Sequence, residues 1–148
     1  MSPWQSDYKS LQGNLGLGMA IAYYTSNCFR VLLPLNDTQK YDLAFDDGKK
    51  LNKVSVKTSK RKNKNNKFFE VQLKNTGGAS GKSKIRNFDN KSCDFVFIYI
   101  IDGTMYQIPS EAINSHTSLV LTEEYAKYIV NIKNGTSAVV ETQQVEEG

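Results

Sequence analysis

The run Lys40-Tyr41-Asp42-Leu43-Ala44-Phe45-Asp46-Asp47-Gly48-Lys49-Lys50-Leu51-Asn52-Lys53-Val54-Ser55-Val56-Lys57 constrains the fold more than any other stretch of the chain. Tyr41 to Phe45 alternates in polarity and favours strand, Asp47-Gly48 is a tight-turn pair, and Val54 to Lys57 alternates again. Together they specify one β-hairpin. Folding it back about Gly48 sets Asp42 opposite Ser55. Side chains repeat every two residues along a strand, so Ser55 and Lys57 share one face while Val54 and Val56 point into the core. Asp42 and Lys57 should then project side by side. A carboxylate beside an ammonium on a rigid hairpin suits metal-dependent phosphodiester chemistry: the acid holds a divalent cation, and the lysine orients water or offsets charge on the phosphate. The same geometry also describes a surface ion pair worth ~0–1 kcal/mol, and the hairpin alone leaves both readings open.

Around the hairpin the chain reads as a mixture of helix and strand. Asp7 to Asn27 has a helical apolar stripe (Leu11, Leu15, Met19, Ala22, Tyr23), interrupted by Gly13, Gly16 and Gly18, which mark close packing. Phe29 to Leu33 is a short strand ended by Pro34. Ser59 to Lys67 reads as a polar basic loop, Phe68 to Leu73 as a strand, and Asn75 to Asn90 as a long Gly/Ser/Lys/Asn-rich connection, a kind that is usually functional. Cys93 to Ile101 is a buried apolar strand, followed by a turn at Asp102-Gly103 and a return strand from Met105 to Ile108. Two terminal helices are expected, Ser110 to Asn114 and Thr122 to Ile132, the second capped by Thr122 with Glu123 and Glu124 in its first turn. This order gives an α/β fold with a central mixed sheet. The 148 residues suit a single domain, with its core at about 7–132 and a C-terminal tail at 133–148.

Charge is distributed unevenly. Lys57 to Lys91 holds eleven Lys/Arg against two acids, whereas the rest of the chain holds eight against thirteen. Such a concentration is the footprint of a polyanion-binding surface, although a solvated lysine-rich loop has the same composition. One histidine, His116, in a polar stretch, and two cysteines, Cys28 and Cys93, expected as buried free thiols, all but exclude zinc sites and histidine catalysis. No apolar run approaches a membrane span, and Met1-Ser2-Pro3-Trp4-Gln5 lacks a signal-peptide pattern, so a cytoplasmic protein is expected.

The N-terminal helix, then Tyr41-Asp42-Leu43, then Ser55-Val56-Lys57-Thr58, then the strands Cys93-Asp94-Phe95-Val96-Phe97-Ile98-Tyr99 and Met105-Tyr106-Gln107-Ile108-Pro109, resemble the PD-(D/E)XK nuclease superfamily. The likeness runs from about Gly13 to Pro109 and is greatest to the short homing endonucleases of bacterial group I introns. It implies a restriction-endonuclease-like fold, a central mixed sheet flanked by helices, and Mg²⁺ (with Mn²⁺ or Ca²⁺ as substitutes). It also implies double-stranded DNA as partner, a homotetramer, and a nucleoid-associated location when DNA is bound. By this resemblance Asp42 matches the metal-binding aspartate, the Val56 carbonyl is a further metal ligand, Lys57 matches the motif lysine, and Ser55 stands where a second acid or a glutamine is found. Asp37 is the runner-up for the aspartate. The glutamate expected from the first helix is missing: its place falls near Leu17, and Gln12 is the best polar substitute. Contacts to DNA would come from Lys60, Arg61, Lys62, Lys64, Lys82, Lys84 and Arg86 on the backbone, with Gln72 and Lys74, beside Glu70, facing the major groove. The departures at Ser55 and Leu17 keep two alternatives in view, a DNA-binding module on the nuclease scaffold and an RNA-binding intron-associated protein. Trp4, Tyr8, Tyr125, Tyr128 and Ile129 offer apolar surface for subunit contacts.

Overall fold

The computed structural model describes residues 8–36, 39–76 and 85–133. Helix α1 (Tyr8–Ser26) leads into β1 (Arg30–Leu32), β2 (Leu43–Asp46) and the long β3 (Leu51–Ser59). Short strands β4 (Arg61–Lys62), β5 (Phe69–Gln72), β6 (Asn75–Thr76) and β7 (Ile85–Arg86) follow. The chain then enters β8 (Phe95–Ile100) and β9 (Met105–Pro109), a 3-10 turn at Ser110–Ala112, β10 (Ser118–Val120), a 3-10 turn at Glu123–Tyr128, and β11 (Ile129–Val130). The main sheet has the order β1-β2-β3-β8-β9-β11, with β3 and β8 parallel and the other pairs antiparallel. This is a mixed α/β architecture with a central mixed sheet.

The β2–β3 turn shows how local sequence fixes register. Gly48 sits at φ +89°, a conformation that costs residues with a Cβ, and the two aspartates before it tie down the turn's amides. Asp46 Oδ1 accepts from Gly48 N at 2.8 Å, and Asp47 Oδ1 accepts from Lys49 N and Lys50 N at 2.8 and 2.9 Å. Leu43 therefore faces Val54 and Asp46 faces Leu51, the register expected from the sequence.

Each face of the sheet buries its own core. Leu43, Phe45, Val54 and Phe97 meet α1 through Ala20 and Tyr24, with the Phe45 ring stacked 4.2 Å from Tyr24 and 5.3 Å from Phe29. Val96, Ile98, Ile100 and Ile108 meet Val71, Leu73, Phe88, Leu119 and Leu121 on the other face. That second layer is the small sheet β10-β5-β4 and its flanking turns. Parallel strands are most often joined through a helix; here the described residues of the β3-to-β8 crossover form short strands.

Several expectations are corrected. Leu11 and Leu15 are exposed, and the buried stripe of α1 is Gly16, Ala20 and Tyr24, because β3 approaches too closely for leucine on that face. The expected loop from Ser59 to Lys67 contains β4, paired Arg61 to Glu70 and Lys62 to Phe69. The two terminal helices shrink to 3-10 turns. The Thr122 side chain makes no capping hydrogen bond, and Ile129–Val130 leaves to pair with β9. Of the three helix glycines, only Gly16 marks close packing: a Cβ there would collide with Thr58 Oγ1, while Gly13 and Gly18 have nothing within 4 Å. Cys28 is exposed rather than buried.

Gly16→Ala is therefore expected to destabilise by about 1–3 kcal/mol, whereas Gly13→Ala and Gly18→Ala stabilise by about 0.5–1 kcal/mol through helix propensity. Urea midpoints measure all three. Adding Thr58→Ser, whose hydroxyl can rotate aside, should restore part of the loss.

Candidate active site

The site begins where β2 begins. Asp42 N donates to Val54 O at 2.8 Å, and Val56 N donates to the Asp42 carboxylate, Oδ2, at 2.7 Å. Beyond the end of the backbone ladder, a side chain thus occupies the rung that another strand residue would have filled. The N–H and C=O of one strand residue leave on the same edge, so the Val56 carbonyl also points toward Asp42. Two oxygen donors of different kinds, a carboxylate and a carbonyl, are brought to one edge of β3.

The face is set by register. Leu43 packs toward α1, so Asp42 is on the opposite side, the side that Ser55 and Lys57 also occupy. Asp42 is exposed, Ser55 is buried, and Lys57 lies between these extremes. On the neighbouring parallel strand the same face is apolar: Ser55 sits beside Val96, Lys57 beside Ile98 and Ser59 beside Ile100. The polar row of β3 thus borders a dry core. Burial pushes the Lys57 ammonium below the ordinary lysine range, while the charge of Asp42 pulls it back up. Asp42 is close enough to act on the ammonium even though it faces water.

Cys93 is the neighbour that sequence reasoning did not connect to the site. It is buried, its Sγ lies 3.2 Å from Ser110 Oγ, and burial pushes its thiol up, so it stays neutral. Nothing local in the sequence signals this, because the contact depends on the long-range parallel pairing of β3 with β8.

The remaining candidates separate into groups. Gln12 lies on α1, the helix that covers the opposite face, and lines a groove with Ser59 and Gln72. Leu17 packs against the α1-side core. Lys60, Arg61, Lys62 and Lys64 are exposed on or beside the β4–β5 hairpin; Arg61 pairs with Glu70 at 3.3 Å, and Lys62 lies over the Phe69 ring. Gln72 and Arg86 are exposed and Lys74 is half-buried. Tyr125 and Tyr128 pack against the core, and Ile129 is exposed. Asp37, Lys82, Lys84 and Trp4 lie outside the described residues.

No group of three or more His, Cys, Asp or Glu side chains that could hold a metal occurs among the described residues. A carboxylate with a backbone carbonyl suits a hard cation that keeps several of its waters, as Mg²⁺ does, and does not suit zinc. The donor set therefore fits Mg²⁺.

A family model for PD-(D/E)XK endonucleases matches residues 8–136, a span that contains α1, the hairpin and both parallel strands. The chain belongs to the PD-(D/E)XK endonuclease family. This PD-(D/E)XK endonuclease is similar in structure to the bacterial homing endonuclease I-Ssp6803I, with a TM-score of 0.67 and 21% identity over 94% of this chain and 97% of that one. At that identity the likeness is one of fold. No curated protein matches this chain.

Replacing Lys57 of the PD-(D/E)XK endonuclease by Met keeps the aliphatic stem and removes an ammonium held in an unfavourable place. The Lys57→Met protein should melt at the same temperature as the parent or higher at pH 7. That advantage should shrink as pH rises toward the ordinary lysine range. The native state binds the Lys57 proton less well than the unfolded chain does, so parental stability rises with pH through that window. Thermal unfolding at pH 7 and pH 10 tests the sign. A lower melting point for the variant at pH 7 would show that attraction to Asp42 outweighs the ammonium's lost hydration.

Proposed function

We propose that this chain, acting as one domain, is a site-specific double-stranded DNA endonuclease of the homing type that hydrolyses phosphodiester bonds with Mg²⁺ and works as an oligomer. The hydrogen bond from Val56 N to Asp42 Oδ2 carries the proposal, because it aims an exposed carboxylate at the strand that holds Lys57. The family match supports nuclease chemistry, and the fold likeness to a homing endonuclease supports the kind of target.

Asp42 and the Val56 carbonyl would hold the metal. When bound, Mg²⁺ supplies Lewis-acid stabilisation of phosphoryl charge and lowers the pKa of a bound water. Asp42 keeps one orientation, because Oδ2 is fixed on the Val56 amide, so its carboxylate is set before substrate arrives. Lys57, lying between the dry core and solvent, is a cation with weakened hydration. Its field therefore acts more strongly on a phosphate than that of an exposed lysine. In this reading it positions the attacking water and offsets charge that builds on phosphorus. Ser55, short and buried, contributes no charge and leaves a coordination place to water. Lys60, Arg61, Lys62, Lys64 and Arg86 hold the DNA backbone through charge.

A DNA-binding module with impaired catalysis is the second reading. It is favoured by the buried serine at position 55 and by the leucine at position 17, which packs into the core. Nicking of supercoiled plasmid in Mg²⁺ separates the two. The endonuclease reading predicts cleavage by the parent and at least a ~100-fold loss in Asp42→Asn and Lys57→Ala. Plasmid that is bound but left intact by the parent would establish the binding module instead.

A further inference from the structure

A groove of about 410 Å³ opens just past the C-terminal end of β3. Its floor is the solvent face of the small sheet, where Gln72 stands opposite Ser118 on β10; Gln12 reaches it from α1. Lys60, Arg61 and Lys74 line it against one acid, Glu70, which already pairs with Arg61 at 3.3 Å. Cations exceed acids, and two carboxamides converge from separate elements. Each carboxamide offers both donors and an acceptor, the set that can pair with a base edge. The groove also lies in the right place. Ser59 is two residues past Lys57 on the same strand, roughly 7 Å along at the strand rise of about 3.3 Å per residue. That is the axial length of about two nucleotides of one DNA strand.

We infer that this groove is a base-reading subsite for the DNA next to the cut, and that Gln12 and Gln72 are its specificity-determining residues. The inference rests on the DNA reading of the site but does not require cleavage. It gives Gln12 a different task from the one expected of it: it recognises nucleic acid and does not stand in for a metal ligand. Lys60 and Lys74 supply attraction to phosphate that is indifferent to sequence, and the two glutamines supply the preference, with adenine the base a glutamine pairs with best.

The test is a binding selection with the full-length protein from a pool of 30-base-pair duplexes with randomised centres, in which enriched sequences are read for the parent, Gln12→Ala, Gln72→Ala and Gln72→Glu. Neither glutamine is buried, and equal melting temperatures exclude misfolding. The expected result is a parental preference that loses about 5- to 100-fold discrimination at one or two adjacent positions in each alanine variant. Gln72→Glu should move the preferred base there toward cytosine, which donates where adenine pairs with glutamine. A merely structural role would not change base identity. Identical preferences in all four proteins, or no sequence preference in the parent, would overturn the inference. A parent that selects sequence yet fails to nick plasmid would sink only the endonuclease reading.

Discussion

One hydrogen bond, from the amide of Val56 to the carboxylate of Asp42, fixes the arrangement of groups where the β2–β3 ladder ends. Without it, the amide would need a backbone partner that β2 no longer provides, and the aspartate would be one more exposed acid beside a turn. With it, the end of a strand ladder becomes a fixed carboxylate facing a carbonyl and an ammonium. The cost of the half-buried lysine next to it follows from the same register. Along the face that holds Ser55, Lys57 and Ser59, the next strand is wholly apolar, so any charge placed there loses water.

The surroundings follow from the crossover. Joining β3 to β8 in parallel demands a long connection, and the chain spends it on the β4–β5 hairpin, β6, β7 and the approach to Phe88. That segment performs two tasks at once. Its inward residues, Val71 and Leu73, seal the second core, while its outward residues Arg61, Lys62 and Gln72 stand exposed beyond the end of the strand that carries Lys57. A helix in the same place would have covered the core but would not have set a groove beside it.

The hairpin was readable in the sequence because its determinants are local: alternation on both sides of Asp47-Gly48 fixes a register with no choice of a second one. Helix α1 and strands β8 and β9 were readable for the same reason. The buried face of α1 was not. Leu11 and Leu15 are apolar yet exposed, whereas Gly16 is buried because Thr58 and Val56 press on it, a demand made by a strand far away in the chain. Strands β4, β10 and β11 have two or three residues each, too few to show a period, and exist only through their partners. Within the candidate site, the shared face of Asp42, Ser55 and Lys57 was legible from alternation about the Asp47-Gly48 turn. Gln12 was read as a polar substitute for the missing acid by position on a helix, and its place in the groove with Ser59 and Gln72, set by long-range packing, was not legible.

Paramagnetic broadening by Mn²⁺, followed amide by amide in the nitrogen–proton NMR spectrum, tests the centre of this account most directly. The account predicts that the Val56 and Lys57 signals vanish at the lowest Mn²⁺ concentration and are restored by Asp42→Ala. Early loss at the Asp46-Asp47 turn or at Glu123-Glu124, with Val56 and Lys57 untouched, would contradict it.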